Sequence, residues 1–369
     1  MINLVIDGNN IIFRSMFVCG NYGEKGYTFD KQYELDQLMR KVCIDISYIV
    51  RHVNPSRVIV SFDSKSWRKD ISIDENDGYK ANREKSKFLN WDKIYGLMKE
   101  LGDILDGNGF IVSKIDKAEA DDLIGLWVNE LLVNQKQHVI VASSDEDIRQ
   151  LVQCNNNLFS LVLNPYSSGK IKKLFVPKGF EEWLSVDEEG DIFNRFIDVD
   201  KEDFRRIDES STTELIDGNK IALRKIFCGD DGDNVPAIFT WINDKDKTIR
   251  ITNSKFEKIV ESIGAKGYKD LIEKADPIYD QIVNISGKRP PFKMKDRLER
   301  QIKLVVLSRE IFPKEIVEKF DNSIQEQLKK PNISPQSFNV NSILEGTKYI
   351  ENKNEASIFK DIDDLTKFI

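Results

Sequence analysis

The feature that most constrains this chain is a repeated order of short apolar segments and longer helical patterns in its N-terminal part. Four segments rich in Val and Ile, without strict alternation, are typical of strands buried on both faces: Ile2–Ile6, Val58–Phe62, Phe110–Val112 and Val139–Ala142. Helical spacing extends between and beyond them, over Tyr33–Val53, Leu89–Leu105 and Glu119–Val133. This βαβα order predicts an α/β fold with a mostly parallel central sheet flanked by helices.

Acidic residues follow these segments at the points where the strands would end. Asp7, Asp63 and Asp145 each come within three residues of the end of a predicted strand. In open α/β sheets, ligands bind beyond the carboxyl ends of the strands, so we expect these carboxylates to converge. Carboxylates crowded together stay ionised only with cations between them, and oxygen-only ligands suit Mg²⁺ or Mn²⁺. The pattern therefore predicts a multi-metal site that hydrolyses phosphodiesters.

Three more acids, Glu119, Asp121 and Asp122, lie in the first turn of a predicted helix. The positive end of the helix dipole eases the crowding of such carboxylates by up to about 1 kcal/mol each. Taken alone, Asp121-Asp122 is more often a charged helix N-terminus than a pair of metal ligands. The local sequence pattern does not decide between a charged helix N-terminus and metal ligands.

A later helical pattern, Lys220–Phe227, is predicted to end at Gly229, a residue suited to a helix C-cap. Asp230 and Asp233 follow directly. These two acids could reach the site from a separate lobe.

Composition does not by itself indicate a nucleic-acid partner. Lys and Arg number 55 and Asp and Glu 62, a net charge of −7, so local charge must carry that argument. The four cysteines form no C-x-x-C pair, which predicts neither a zinc site nor disulfides and fits a reducing cytoplasm. No apolar stretch approaches the roughly 20 residues needed to span a bilayer, and no signal peptide is evident. With no oligomerisation heptad, a monomer is the default, and His52 and His138 are interpreted as packing residues.

Five acidic motifs occur in a fixed order along the N-terminal two thirds of the chain. They are Ile6-Asp7-Gly-Asn-Asn10, Phe62-Asp63-Ser, Glu119-Ala-Asp121-Asp122-Leu-Ile, Ser143-Ser-Asp145-Glu-Asp147-Ile and Gly229-Asp230-Asp-Gly-Asp233-Asn-Val-Pro. Any one alone is a weak signal, but five in order form a strong one. In this the chain resembles the 5′-nuclease, or flap endonuclease, superfamily, and most closely its phage RNase H-like branch. The resemblance implies a PIN-like 5′-nuclease core, a helical arch and a C-terminal helical DNA-binding lobe.

The same resemblance implies hydrolysis with two divalent cations, Mg²⁺ or a substituting Mn²⁺, through in-line attack of water on a phosphate. Acids matching the tighter metal site are Asp7, Asp63, Glu119, Asp121 and Asp145. Acids nearer the second are Asp122, Asp147, Asp230 and Asp233. The implied function is a 5′→3′ exonuclease and flap endonuclease that removes RNA primers or 5′ flaps in phage-type DNA replication. Its partners would be branched or nicked DNA and RNA/DNA duplexes with 5′ ends.

A basic and aromatic segment, about residues 64–90, matches the arch through which a single-stranded 5′ end passes in the family. Lys80 and Arg83 would act in catalysis by neutralising the scissile phosphate, while Trp67 or Tyr79 would stack on an unpaired base. Further candidates for nucleic-acid binding are Arg14, Arg68 and Lys69. Without the family, a mixed-charge segment like this is interpreted as a solvated loop.

Beyond Asp233 the resemblance implies a helix–three-turn–helix that grips the duplex backbone and often binds K⁺. Its usual glycine-rich hairpin is replaced here by Ala237–Lys247, and helical periodicity returns only around Ser254–Ile263. Glycines let backbone amides approach phosphate closely. Without them, the sequence neither predicts nor excludes the K⁺ site. Duplex binding is instead predicted for a basic run, with an exposed helix face as the equal alternative: Lys288, Arg289, Lys293, Lys295, Arg297, Arg300 and Lys303.

These features predict a catalytic core over residues 1–180, a helical lobe with a modified helix–three-turn–helix over 181–330, and a tail over 331–369. The end of the tail, Ile358–Ile369, combines apolar anchors with acids. It is predicted either to pack on its own domain or to dock on a sliding clamp or single-strand-binding protein.

Two other functions stay open. A PIN-like single-strand ribonuclease also gathers acids on a parallel sheet, but PIN domains lack the arch and the Asp230/Asp233 pair. A catalytically silent, structure-specific DNA-binding protein would be indicated by loss of several acids, and none is lost here.

Overall fold

The computed structural model describes residues 1–19, 27–73, 78–83, 86–155, 158–165, 171–178, 212–330 and 340–349. Eight strands build its main sheet: β1 (Ile2–Asp7), β2 (Arg57–Ser61), β3 (Ile111–Ser113), β4 (His138–Ala142), β5 (Gln153–Asn155), β6 (Leu158–Pro165), β7 (Ile171–Pro177) and β8 (Thr212–Ile216). Their order is β3-β2-β1-β4-β6-β7-β8, with β5 paired to β6. Pairings are parallel except those of β6 with β5 and β7. The predicted α/β fold with a mostly parallel sheet is confirmed.

Helices flank this sheet and form a second lobe. Those interleaved with the first strands are α1 (Gly8–Cys19), α2 (Gln32–Val53), α3 (Trp91–Gly107) and α4 (Ala120–Asn129), the last continued by a π-helical turn, Glu130–Asn134. Those that follow are α5 (Gly218–Cys228), α6 (Asn253–Ile263), α7 (Lys269–Glu273), α8 (Ala275–Ser286), α9 (Met294–Val305), α10 (Lys314–Gln327) and α11 (Val340–Leu344). The predicted helices agree with these within a few residues, apart from the turn after α4.

Both faces of the sheet are covered, which explains why its strands lack alternation. Leu4 and Ile6 pack with α1, α2 and α3, whereas Val5 packs on the opposite face with α4 and α10. There the Trp127 and Phe320 rings meet edge to face with centroids 5.1 Å apart. Burial of such side chains contributes about 1.5–3 kcal/mol each, so this packing stabilises the sheet that carries the strand ends.

The chain crosses the predicted boundaries. β8 belongs to the main sheet although it lies beyond residue 180, and α10 returns to the core from the predicted lobe. Within the predicted tail, Ile343, Leu344 and Tyr349 are buried against α2 and α3. The hypothesis about Ile358–Ile369 lies outside the described residues. An amphipathic pattern predicts that one face of a helix is buried, but it does not predict the surface against which that face packs.

The second lobe has its own core, formed by α5 to α9 around residues such as Phe227, Phe256 and Leu298. An antiparallel hairpin, β9 (Thr240–Ile242) and β10 (Thr248–Arg250), fills the interval where the sequence lacks the family's glycine-rich hairpin. No helix in the described part of the chain is long and apolar enough to cross a membrane.

The predicted arch is a set of turns in its described parts. A 3₁₀ turn covers Trp67–Asp70, and no α-helix lies within residues 64–73, 78–83 or 86–90.

Candidate active site

Strand register brings the first acids to one edge of the sheet. β1 lies between β2 and β4 and runs parallel to both, with Asp7 opposite Ser61 in β2. The carboxyl ends of these strands are therefore level. Asp63 follows β2 and Asp145 follows β4 at the same edge.

Asp7 is the most constrained of these acids. Its Oδ1 accepts from the Asn10 amide at 2.9 Å, and its Oδ2 accepts from the Ser143 hydroxyl, also at 2.9 Å. Burial, together with the charges of Asp63 and Asp145, raises the pKa of Asp7 from 3.8 to about 7, although these hydrogen bonds oppose the shift. Asp7 therefore holds a proton near neutral pH unless a cation replaces it.

Asp121 shares this environment. Burial, followed by the nearby charges of Asp145 and Asp7, raises the pKa of Asp121 well above its usual range. These three carboxylates are within electrostatic reach of one another, and none forms an ion pair within the described residues. They make a crowded, cation-seeking cluster, hereafter the edge cluster of Asp7, Asp121 and Asp145.

Glu119 lies beside the edge cluster as the N-cap of α4. Its Oε1 is 2.5 Å from the Lys80 ammonium, and its Oε2 accepts from Ser66 at 2.8 Å and Arg68 at 3.3 Å. Burial alone would raise the pKa of Glu119, but Lys80 and Arg68 outweigh it and lower the value to about 2. Glu119 is thus ionised throughout the physiological range.

In this structure Asp122, predicted as a metal ligand, is engaged by protein groups. This side chain is fully buried; its Oδ1 accepts from Arg68 at 2.6 Å, and its Oδ2 accepts from the Trp67 indole and the Glu119 amide, both at 3.1 Å. The bond to the Glu119 amide is half of a capping box. Asp122 therefore caps α4 and anchors Arg68. A role at the helix N-terminus was the alternative that the sequence left open.

Two predicted nucleic-acid contacts, Arg68 and Tyr79, are buried in this structure. Arg68 is 1 % exposed and lies between Glu119 and Asp122, while Tyr79 is 5 % exposed. The Tyr79 hydroxyl lies 2.9 Å from Asp233 Oδ2 and 3.1 Å from Glu119 Oε2. Both side chains hold carboxylates in this structure, so neither presents a surface to nucleic acid.

The remaining arch candidates differ in exposure. The Trp67 ring is half-buried, and its indole nitrogen is engaged by Asp122. Lys69 and Arg83 are exposed, whereas Lys80 is largely covered. Arg14 is half-buried in α1, near the Asp45 carboxylate of α2.

The second-lobe acids lie in a tight turn after α5. A β-bridge pairs Asp230 with Val235 and closes the turn. Gly229, at φ +73°, makes the closure possible, because a Cβ there would lie 2.4 Å from the Val235 carbonyl oxygen. The sequence correctly indicates a glycine at this helix end, although its ψ of −170° places it outside the αL region.

The arch segment docks on this turn. The Lys80 amide donates to the Asp233 carbonyl at 2.8 Å, and the Asn82 amide group donates to the Asp231 carbonyl, also at 2.8 Å. In return, Asn234 donates to the Gly78 carbonyl at 2.7 Å. The Arg83 guanidinium forms an ion pair with the Asp233 carboxylate. Asp233 thus connects the second lobe to the arch in this structure.

Asp147 and Asp230 share a partner that sequence reasoning missed. The Lys225 ammonium forms an ion pair with Asp147 and lies 2.5 Å from Asp230 Oδ2. Burial would raise the pKa of Asp230, but the hydrogen bond and charge of Lys225 lower it. A signal was present: Lys225 lies three residues after buried Ala222, on the helix face that packs inward.

The predicted duplex-binding residues divide into two groups. Lys288, Arg289, Lys293 and Lys295 are exposed around the connection from α8 to α9. Arg297, one turn further, is buried and donates to the Ala237 and Ile238 carbonyls at 2.9 and 3.0 Å. Arg297 therefore supports the segment before the hairpin and is not part of the exposed basic surface.

His138 has a packing role, as predicted. Its ring stacks on Phe159 with centroids 4.2 Å apart, and its Nδ1 accepts weakly from the Phe159 amide at 3.4 Å. Burial lowers the pKa of His138 to about 4, so the ring is neutral at physiological pH.

The donor chemistry of the site fits hard divalent cations such as Mg²⁺ or Mn²⁺, because every candidate ligand is a carboxylate oxygen. Among the described residues, no three Asp, Glu, His or Cys side chains already stand in an arrangement ready to hold a metal ion. Lysine and arginine side chains engage Glu119, Asp122, Asp147, Asp230 and Asp233. The edge cluster, which no lysine or arginine side chain pairs within the described residues, therefore fits a cation best, although its side chains would have to move to bind one.

Comparison with known proteins shows similarity to 5′-3′ exonucleases. Residues 3–182 match the family model of the 5′-3′ exonuclease, N-terminal resolvase-like domain. A 5′-3′ exonuclease of Mycoplasma genitalium is 30 % identical over 177 residues, which cover 47 % of this chain and 58 % of that protein. One from Buchnera aphidicola is 26 % identical over 193 residues, covering 50 % and 61 %. The matched region thus spans about three fifths of these relatives.

Solved structures extend the similarity in fold. The bacteriophage T5 D15 protein crystallised with metal ions is 16 % identical, with a TM-score of 0.53 over 89 % of this chain and 100 % of that chain. The T5 D15 flap endonuclease in complex with DNA and metal ions is 15 % identical, with a TM-score of 0.52 over 89 % of this chain and 99 % of that chain. Residues 3–182 are therefore similar in sequence to the 5′-3′ exonuclease N-terminal domain, and the chain shares its fold with the T5 D15 protein.

Proposed function

We propose that this chain is a divalent-metal-dependent 5′→3′ exonuclease and flap endonuclease that removes RNA primers or displaced 5′ ends during phage-type DNA replication. The observation that carries the proposal is the edge cluster, with Glu119 and Lys80 beside it at the carboxyl edge of the sheet. Two comparisons support the proposal: the match to the exonuclease domain, and the fold shared with a flap endonuclease solved with DNA and metal ions.

The edge cluster and Asp63 would hold divalent cations, Mg²⁺ or Mn²⁺. Asp63 suits this role because it keeps an exposed surface while its Oδ1 is oriented by the Ala120 amide at 2.7 Å. Cations bound there would activate the attacking water and offset charge on the leaving oxygen. In the family pattern a second ion lies nearer Asp147, Asp230 and Asp233.

The basic arch residues would act on the phosphate itself. Lys80 is held at the site by Glu119, where its ammonium can offset the charge of a scissile phosphate. Arg83 keeps more than half of its side chain exposed, so it can exchange its ion pair with Asp233 for one with a phosphate.

Binding of the duplex portion would use phosphate contacts outside the site. Lys69 extends from the arch, and the basic run at the start of α9 provides Lys288, Arg289, Lys293 and Lys295. Such contacts supply sequence-independent affinity that weakens with salt. A role for Ile358–Ile369 in docking a sliding clamp or single-strand-binding protein belongs to the same proposal, and its deletion should remove stimulation by that partner while leaving basal cleavage intact.

The test is cleavage of a 5′-labelled flap duplex beside RNA-primer, nicked and single-strand substrates, in Mg²⁺ and in EDTA. We expect Mg²⁺-dependent cutting at the flap junction, lost in Asp121→Asn and Asp145→Asn with substrate binding preserved. Cutting of single-stranded RNA alone would replace the proposal with the PIN-like ribonuclease. Tight flap binding without cleavage would identify a silent DNA-binding protein.

A further inference from the structure

Lys225 connects two acids that come from separate parts of the fold. Asp147 begins the 3₁₀ turn Asp147–Leu151, which follows β4, while Asp230 follows α5. The Lys225 side chain is 6 % exposed, and its ammonium contacts both carboxylates. The contact is therefore a sequestered one, in contrast to the exposed surface pair of Lys220 with Glu257.

The two groups of acids in the site differ in the positive charges that lie beside them. No member of the edge cluster forms an ion pair within the described residues, and the charge of nearby Lys80 only partly offsets the crowding at Asp121. Asp147 and Asp230 already share a fixed positive charge. A divalent ion bound to both would have to approach carboxylate oxygens to about 2.0–2.1 Å, next to that ammonium.

Like-charge repulsion at such a distance is substantial, because the Lys225 ammonium is largely shielded from water and the two carboxylates are only about one fifth exposed. The remaining oxygen of Asp230 is also occupied, since Oδ1 accepts from the Gly232 amide at 2.9 Å. A divalent ion would gain full access only if Lys225 left the pair, and the buried position of its side chain opposes that.

We propose that Lys225 is a built-in cation that fills the Asp147–Asp230 position and weakens divalent-ion binding there. Tight binding is thereby confined to the edge cluster. The inference rests on the proposed function for its metal dependence, and it assigns the Asp147–Asp230 pair to an internal ion pair in the free protein.

The experiment is titration of the full-length protein with Mn²⁺ alone, without nucleic acid, followed by calorimetry and by the electron paramagnetic resonance of free Mn²⁺. The wild type should show one tight class of site. Lys225→Met should strengthen a second class by at least about tenfold, and the added substitution Asp147→Asn should abolish the gain. Lys225→Arg should keep the wild-type isotherm, and Lys220→Met is the matched control on the same helix.

A second measurement does not depend on the folding of Lys225→Met. Asp230→Asn in the otherwise wild-type chain should leave the tight Mn²⁺ class unchanged, because Lys225 and not the metal is its partner. Loss of that class in Asp230→Asn, or an unchanged isotherm in folded Lys225→Met, would overturn the inference. Since the readout is binding, a failure of flap cleavage would reject the proposed function without touching this result.

Discussion

The Lys80 ammonium lies 2.5 Å from Oε1 of Glu119, while the Lys80 backbone amide donates to the Asp233 carbonyl of the second lobe. One residue thus links the arch, the catalytic core and the lobe. Lys80 adopts a positive φ of 55°, a conformation uncommon for a residue other than glycine. Its side-chain placement therefore depends on docking of the arch as well as on the carboxylate.

Lys80→Met tests this linkage. We expect flap cleavage to fall by about 10²-fold with a much smaller change in substrate affinity, because the ammonium acts mainly on charge at the phosphate. Single-turnover rates and binding by fluorescence anisotropy separate the two quantities. Lys69→Met, in the exposed part of the arch, is the control; equal effects of the two substitutions would show that Lys80 serves only general phosphate attraction.

Asp122 and Asp121 are adjacent in sequence, but only the substitution of Asp122 should lower stability. Asp122→Ala leaves the buried Arg68 guanidinium with Glu119 as its remaining acidic partner, which should lower the free energy of unfolding by about 3–5 kcal/mol. Asp121→Asn removes a carboxylate crowded by Asp7 and Asp145 and should be neutral or stabilising without metal. Urea unfolding in EDTA measures both, and similar losses would contradict the cap assignment.

This contrast shows what the sequence could and could not predict. Asp7 and Asp145 were placed correctly on one edge because strand order and the parallel sheet fix where strand ends meet. The partners of Asp122 could not be predicted, because they depend on how the 3₁₀ turn that carries Arg68 packs against α4. That packing is long-range and leaves no periodic pattern in the sequence.

Lys225 and the helix α10 illustrate the same limit. A lysine on the inward face of a helix signals a buried partner, but only the fold reveals that the partners are Asp147 and Asp230. The apolar face of α10 likewise predicts burial, whereas its return to Trp127 in the catalytic core follows from chain topology.

The raised pKa of Asp7 predicts a pH dependence in the absence of metal. A carboxyl whose pKa is about 7 in the folded state and 3.8 when unperturbed contributes stability that is present below pH 4 and is lost as pH rises through 7. Between pH 5 and 8 in EDTA, the free energy of unfolding should therefore fall by on the order of 2–4 kcal/mol. Mg²⁺ should reverse the loss at pH 8, since the cation takes the place of the proton.

Asp7→Asn is the matched variant for this measurement. The amide keeps the size of the side chain and can still accept one hydrogen bond, but it does not titrate. Urea unfolding at several pH values should show a flatter profile than the wild type and a smaller gain from Mg²⁺. A profile as steep as that of the wild type would assign the dependence to other groups, Asp121 first.

Lys295 and Arg297 separate duplex binding from lobe stability. Lys295 is exposed at the start of α9, so Lys295→Met should weaken duplex affinity and reduce the salt slope by about one, without a change in unfolding. Arg297 donates to the carbonyls of Ala237 and Ile238, so Arg297→Met should lower the free energy of unfolding by about 2–4 kcal/mol. Anisotropy titrations across a salt series, paired with urea unfolding, test both. If Arg297→Met changed the salt slope while the free energy of unfolding stayed the same, Arg297 would contact the duplex. Its prediction as a duplex-binding residue would then be correct.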